Sequence, residues 1–254
     1  MSPPSIAALP KVLLHEHLDG SLRVDTFFEL LKAAGLPCPA DDPAALGRWF
    51  DQRAHAGSLV EYLRGFDLTV AAMATPQALE RVAFEAAEDA RAQGCIAAEF
   101  RIAPLLFEAH GMAGEAAVEA LLAGLRRSAL PSGLIVCAMR HLPVEQTLRA
   151  ARLALAYKDR GVIGFDLAGA EFGHPPSEHA QALRAARDGG LPLTLHAGEA
   201  DAALPISVYG RTKLEGERGV VSILGERACV ARLALTYGPR PSATTARRWW
   251  RRRW

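Results

Sequence analysis

Between residues 96 and 195 the chain repeats one pattern, a short apolar run followed by a longer amphipathic stretch, and this alternation limits the fold more than any other feature. The runs 96–103, 134–140, 162–168 and 191–195 are near-continuous in apolar residues, as strands covered on both faces are. Between them, residues 114–128, 143–157 and 177–187 have helical spacing. Strand and helix in strict alternation predict a parallel sheet clothed by helices. An earlier apolar run, Val12-Leu13-Leu14, supplies a first strand, followed by a helix over 24–32 for which Ser21 offers a cap. Residues 46–74 also have helical spacing, through Leu59, Leu63, Phe66 and Val70. Thr75-Pro76 then opens a helix over 77–92 that Gly94 ends.

The polar residues collect where these strands finish: His15 to Asp19, Glu99 and Arg101, Arg140 and His141, Asp166 and Gly169, His196 and Glu199. In a β/α barrel that end carries the active site, and an open doubly wound sheet places its ligands there too. No glycine-rich phosphate-binding stretch follows any strand, which argues against a nucleotide-phosphate site of that type.

The first strand runs into His15-Glu16-His17-Leu18-Asp19-Gly20-Ser21. A period of two puts His15, His17 and Asp19 on one face, so two imidazoles and a carboxylate converge. A histidine pair alone is more often a hydrogen-bonded structural pair than a metal site. The last strand, however, ends in His196 with Glu199 three residues on. Three histidines from two strand ends suit a catalytic zinc with one position open to water, whose pKa the metal lowers to about 7. Glu199 is placed to move protons without ligating.

At 254 residues, half of them hydrophobic, the chain can bury a large core. No window of about 18 apolar residues predicts a membrane span, and Met1-Ser2-Pro3-Pro4 has no secretory pattern, so a cytoplasmic protein is expected. Cys38, Cys95, Cys137 and Cys229 are too scattered for a ribbon or redox motif and read as reduced thiols. Six arginines and no acid lie between Arg240 and Trp254, so the net charge of +1 becomes −5 over the first 239 residues. That body has no general attraction for nucleic acid.

Three stretches together resemble the adenosine deaminase family of zinc-dependent purine nucleoside deaminases, which fold as a β/α barrel. They are Leu9-Pro10-Lys11 with His15 to Arg23, Gly164 to Glu171, and Thr194 to Ala200. The resemblance spans about residues 9–201, in the family's order. It implies that His15, His17 and His196 ligate zinc, that His17 and Asp19 line the substrate site with Asp19 on the ribose, and that Gly169 offers its backbone N–H to the purine. Glu199 is then the catalytic residue that protonates the ring nitrogen beside the attacked carbon, and ammonia leaves. The substrate implied is adenosine or a related purine nucleoside. The family's later histidine and Asp-Asp pair have no counterpart, since no histidine follows His196 and no aspartate follows Asp201. A non-catalytic remnant that binds zinc or nucleoside therefore stays open as an alternative, and oligomeric state is not readable.

Residues 204–238, containing Tyr209 and Lys213 four apart, resemble part of a short-chain reductase of the dTDP-4-dehydrorhamnose reductase type without its dinucleotide-binding half. The expected organisation is a partial TIM-type barrel of about five of eight strands over 1–203, an appended reductase-like helix and strand over 204–239, and a basic Arg/Trp-rich tail over 240–254. An incomplete barrel is expected to expose sheet edges.

Overall fold

The computed structural model of the chain describes residues 9–54, 59–171 and 173–196. Five strands, β1 (Lys11–His17), β2 (Cys95–Ile102), β3 (Ser132–Met139), β4 (Val162–Ala168) and β5 (Leu193–Leu195), form one parallel sheet in chain order. Seven helices accompany them: α1 (Val24–Ala33), α2 (Pro43–Ala54), α3 (Leu59–Ala72), α4 (Pro76–Ala92), α5 (Gly114–Arg127), α6 (Val144–Ala156) and α7 (Ala180–Asp188). The architecture is α/β, half of a β/α barrel. The appended helix and strand expected after residue 203, Tyr209, Lys213 and the Arg/Trp-rich tail lie outside the described residues.

One face of the sheet is finished. Phe100, Val136 and Phe165 are fully buried and share a core with Leu79 and Ala87 of α4, Val118 and Leu121 of α5, and Ala151 of α6. Helices α4 and α5 lie close because Gly124 has no Cβ. One built there would sit 2.2 Å from the Glu80 carbonyl oxygen and 2.9 Å from the Ala83 Cβ. Thr75 caps α4 as its sequence implies, accepting the Ala78 N–H at 3.2 Å, with Pro76 in the first turn.

The other face holds Arg101, Cys137, Asp166 and Thr194, which alternate with the core residues along their strands; Cys137, Asp166 and Thr194 fall in register, and Arg101 pairs with Ile135 two residues earlier on β3. Exposed apolar side chains lie at the edges, where Val12 and Leu14 on β1 are 52% and 54% exposed and Leu195 on β5 is 43% exposed, and also at Ile96 near the start of β2, 58%, and Ile163 on β4, 38%.

Four local expectations change. Ser21 does not cap α1, whose N-cap is Arg23 with no side-chain bond. Ser21 stands two residues before that cap, and its hydroxyl donates to Glu16 Oε1 at 2.6 Å, with the His17 carbonyl also in reach. Asp19 does not continue the strand: β1 stops at His17 and a 3-10 turn, Leu18–Gly20, carries Asp19 back towards the histidines. The helix expected over 177–187 begins with a 3-10 turn at Pro176–His179 before α7. The helical segment expected over 46–74 is divided into α2 and α3.

Candidate metal centre

β1 and β5 are the opposite edges of the sheet, yet their ends meet. The Nε2 atoms of His15 and His17 are 3.1 Å apart, and each lies 3.0 Å from Nε2 of His196, although His15 and His196 are 181 residues apart in the chain. Only a sheet curled through half a barrel brings its first and last strands together in this way. Among the described residues these three side chains form the cluster of ligating groups able to hold a metal ion.

Four residues hold the cluster in place. The His196 N–H donates to the Leu167 carbonyl at 3.0 Å, fixing the end of β5 against β4. Arg140, itself buried, donates to the carbonyls of Leu167, at 3.3 Å, and His196. Asp166, fully buried on β4, places Oδ2 2.9 Å from His196 Nδ1 and 2.7 Å from Arg101 Nη1. Burial pushes the Asp166 carboxyl up, but His196 and Arg101 outweigh it and hold the group below the usual carboxylate range. An ionised Asp166 only accepts, and His196 turns Nδ1 towards it and Nε2 into the cluster.

Burial lowers the His17 pKa well below its usual value, and the neighbouring His196 and His15 lower it further. Neutral imidazoles with lone pairs converging on one point are what a divalent metal needs. A tetrahedral zinc with ligands at about 2.0–2.1 Å separates its nitrogens by about 3.3 Å, close to the spacing found. The residues present therefore fit zinc.

Asp19 is buried beside the cluster, its Oδ1 3.8 Å from His17 Nδ1 and without a hydrogen-bond partner among the described residues. Burial pushes its carboxyl up to about 7. Gly169 sits just past the end of β4 with φ +89°, a conformation only glycine adopts readily. A Cβ there would lie 2.6 Å from His141 Nδ1, the atom that accepts the Ala170 N–H at 3.2 Å. Asp19 and Gly169 thus lie at the histidine end of the sheet, while Glu199 lies outside the described residues. Arg101 and Asp166 stood in the sequence as charges inside apolar strands, and that interruption was the available sign of their part in the site.

The family model for adenosine deaminase matches residues 10–209. The chain belongs to the adenosine deaminase family. It is 43% identical over 206 residues to the adenosine deaminase of Mycobacterium ulcerans and 42% identical over 206 residues to that of Mycobacterium tuberculosis, covering 77% of this chain in each case. It spans 56% of the length of those curated relatives. Among solved structures, the N6-methyl-AMP deaminase of Arabidopsis thaliana is 30% identical with TM-score 0.65, over 84% of this chain and 63% of that one. An amidohydrolase of Burkholderia ambifaria with bound zinc is 26% identical with TM-score 0.69, over 86% of this chain and 63% of that one. An Arabidopsis relative solved with IMP is 26% identical with TM-score 0.66, over 84% of this chain and 64% of that one. As in other members of the adenosine deaminase family, a barrel frame underlies the site. No helix among the described residues is long and apolar enough to cross a membrane.

Proposed function

We propose that the chain binds zinc through His15, His17 and His196 and catalyses hydrolytic deamination of adenosine or a related purine nucleoside. The convergence of three Nε2 atoms within 3.1 Å carries the reading. When bound, zinc supplies a Lewis acid that makes water nucleophilic near neutral pH. The chain's own groups do the rest: Asp19 takes a ribose hydroxyl, Gly169 offers its backbone N–H to the purine, and Glu199 gives a proton to the ring nitrogen as water adds at C6 and ammonia leaves. The zinc-bound relative from Burkholderia and the nucleotide-bound relative from Arabidopsis support a metal and a purine ligand.

Proton handling beyond Glu199 has no matching residue, because the sequence holds no later histidine and only Asp201 among later aspartates. Each such group is worth about 10²- to 10⁴-fold, so turnover slower than a full-length relative by at least the lower of these factors is expected. The comparisons do not support the resemblance of residues 204–238 to a short-chain reductase, and the adenosine deaminase match, which reaches residue 209, overlaps its start. The chain divides on this reading at residues 203 and 239.

The test is metal analysis beside an assay of adenosine loss. Near-stoichiometric zinc that His196→Ala abolishes, with slow adenosine turnover, is the expected result. Zinc absent from the folded protein overturns the metal centre. Zinc present with no turnover of any purine nucleoside leaves the non-catalytic binder as the function.

A further inference from the structure

Three histidines on the two edges of an open sheet need something to hold those edges at the right separation. Among the described residues β1 pairs only with β2, and β5 only with β4. The strand ladder therefore runs through the three strands between them, and small errors in curl accumulate across it. One side chain crosses the gap directly. Arg101 leaves β2 towards the inner face and is 2% exposed. Its Nη2 donates to the Leu14 carbonyl on β1 at 3.0 Å. Its Nη1 donates to Asp166 Oδ2 on β4 at 2.7 Å and reaches Thr194 Oγ1 on β5 at 3.5 Å.

Both arms end next to a ligating histidine. Leu14 precedes His15, and the Asp166 oxygen that takes Arg101 also lies 2.9 Å from His196 Nδ1. The β1 partner is prepared for this role. Leu13 faces Ala98 and Glu16 faces Phe100, so three steps on β1 oppose two on β2. A bulge of this kind leaves one residue outside the ladder, and the Leu14 carbonyl is taken up by the guanidinium.

Stability alone does not account for the arrangement. Burying an ion pair costs desolvation that its attraction barely offsets, and apolar side chains of similar volume commonly serve as well. An apolar side chain could not hold a carbonyl on one edge while fixing the carboxylate that orients an imidazole on the other. Lysine could not either, because its single ammonium lacks the fork that reaches two partners in fixed directions.

We propose that Arg101 is a positioning residue that sets the separation and orientation of the two histidine-bearing edges, acting on His15 through the Leu14 carbonyl and on His196 through Asp166. This rests on the zinc reading given above for the site's use, but not for the geometry itself.

The test compares Arg101→Met, Arg101→Lys and the parent by two measurements. The first is zinc affinity by competition with a chromophoric chelator, together with the absorption spectrum of the cobalt-substituted protein. The second is nitrogen NMR of the histidine rings in metal-free protein, which reports the tautomer of each imidazole. Loss of a group that orients a ligand lowers metal affinity by about 10- to 100-fold. That loss is expected for Arg101→Met, with an altered cobalt spectrum and a mixed His196 tautomer in place of Nδ1–H. Arg101→Lys, which keeps the charge beside Asp166, is expected to restore the tautomer without restoring full affinity. It also serves should Arg101→Met fail to fold.

Zinc affinity within twofold of the parent and an unchanged His196 tautomer in the folded variants overturn the proposal. If the parent itself binds no zinc, the deaminase reading falls, while the tautomer measurement still decides the role of Arg101.

Discussion

The centre of the sheet and its edges are built on different principles. In β2, β3 and β4 the helix-facing residues Phe100, Val136 and Phe165 are fully buried, and position follows from packing density. At β1 and β5 the apolar side chains Val12, Leu14 and Leu195 are exposed, and position follows from a few polar ties made by Arg101, Asp166 and Arg140. The three clustered histidines belong to the second region. Packing and the polar ties are carried by different residues, often on the same strand, so substitutions can separate them.

The largest expected effect is at the centre. Phe165→Ala leaves a hole in the core and should cost about 3–5 kcal/mol, read as a lowered midpoint in denaturant. A loss under about 1 kcal/mol would break the contrast. Next, Gly124→Ala forces a methyl against the Glu80 carbonyl between α4 and α5. Overpacking there should cost about 1–3 kcal/mol, with zinc affinity unchanged because the added methyl meets Glu80 and Ala83 and none of the groups that hold the histidines.

At the edge, Leu14→Ser replaces a side chain that is 54% exposed, and surface changes usually stay within about 0.5 kcal/mol. The Leu14 carbonyl is untouched, so zinc affinity should also hold. A large drop in either would show that the edge relies on packing after all. The smallest effect is one of pH on the helical side. Hydrogen bonds from Arg91 and Ser128 lower the Glu88 pKa from 4.5 to about 2. A lowered carboxylate pKa favours the folded state fully above about 4.5, and that contribution is lost as pH falls towards 2. Glu88→Gln should therefore flatten the acid limb of the stability profile over this window, with a small loss of stability above about pH 4.5 and none below about pH 2.

The same division explains what could be read from sequence. The strand expected over 162–168 is Val162–Ala168, and those expected over 96–103 and 134–140 are displaced by one or two residues, because strands covered on both faces leave an unbroken apolar signature. The convergence of His15, His17 and His196 was legible because histidines two apart at one strand end and another at the end of the last strand share one end of the sheet. Asp19 was identified for the right neighbourhood by the wrong local structure, since alternation along a strand cannot foresee a 3-10 turn. Ser21 was misread because α1 is capped at Arg23, two residues further on, which leaves the Ser21 hydroxyl to donate to Glu16. The tie between Arg101 and Asp166 joins residues 65 apart, and nothing local to either names the other. Glu199 and the reductase-like segment fall on residues outside the described structure.

The span between the histidines has a consequence for how the protein is made. His15 and His17 leave the ribosome long before His196, which follows His17 by 179 residues. At about 5–20 residues per second, that interval is roughly 10–35 s. During it the nascent chain offers a two-histidine half-site to any metal in its surroundings. On the proposed zinc reading, high-affinity loading waits for the last strand, so bound zinc would record that synthesis has passed β5 and could not direct the folding of what precedes it.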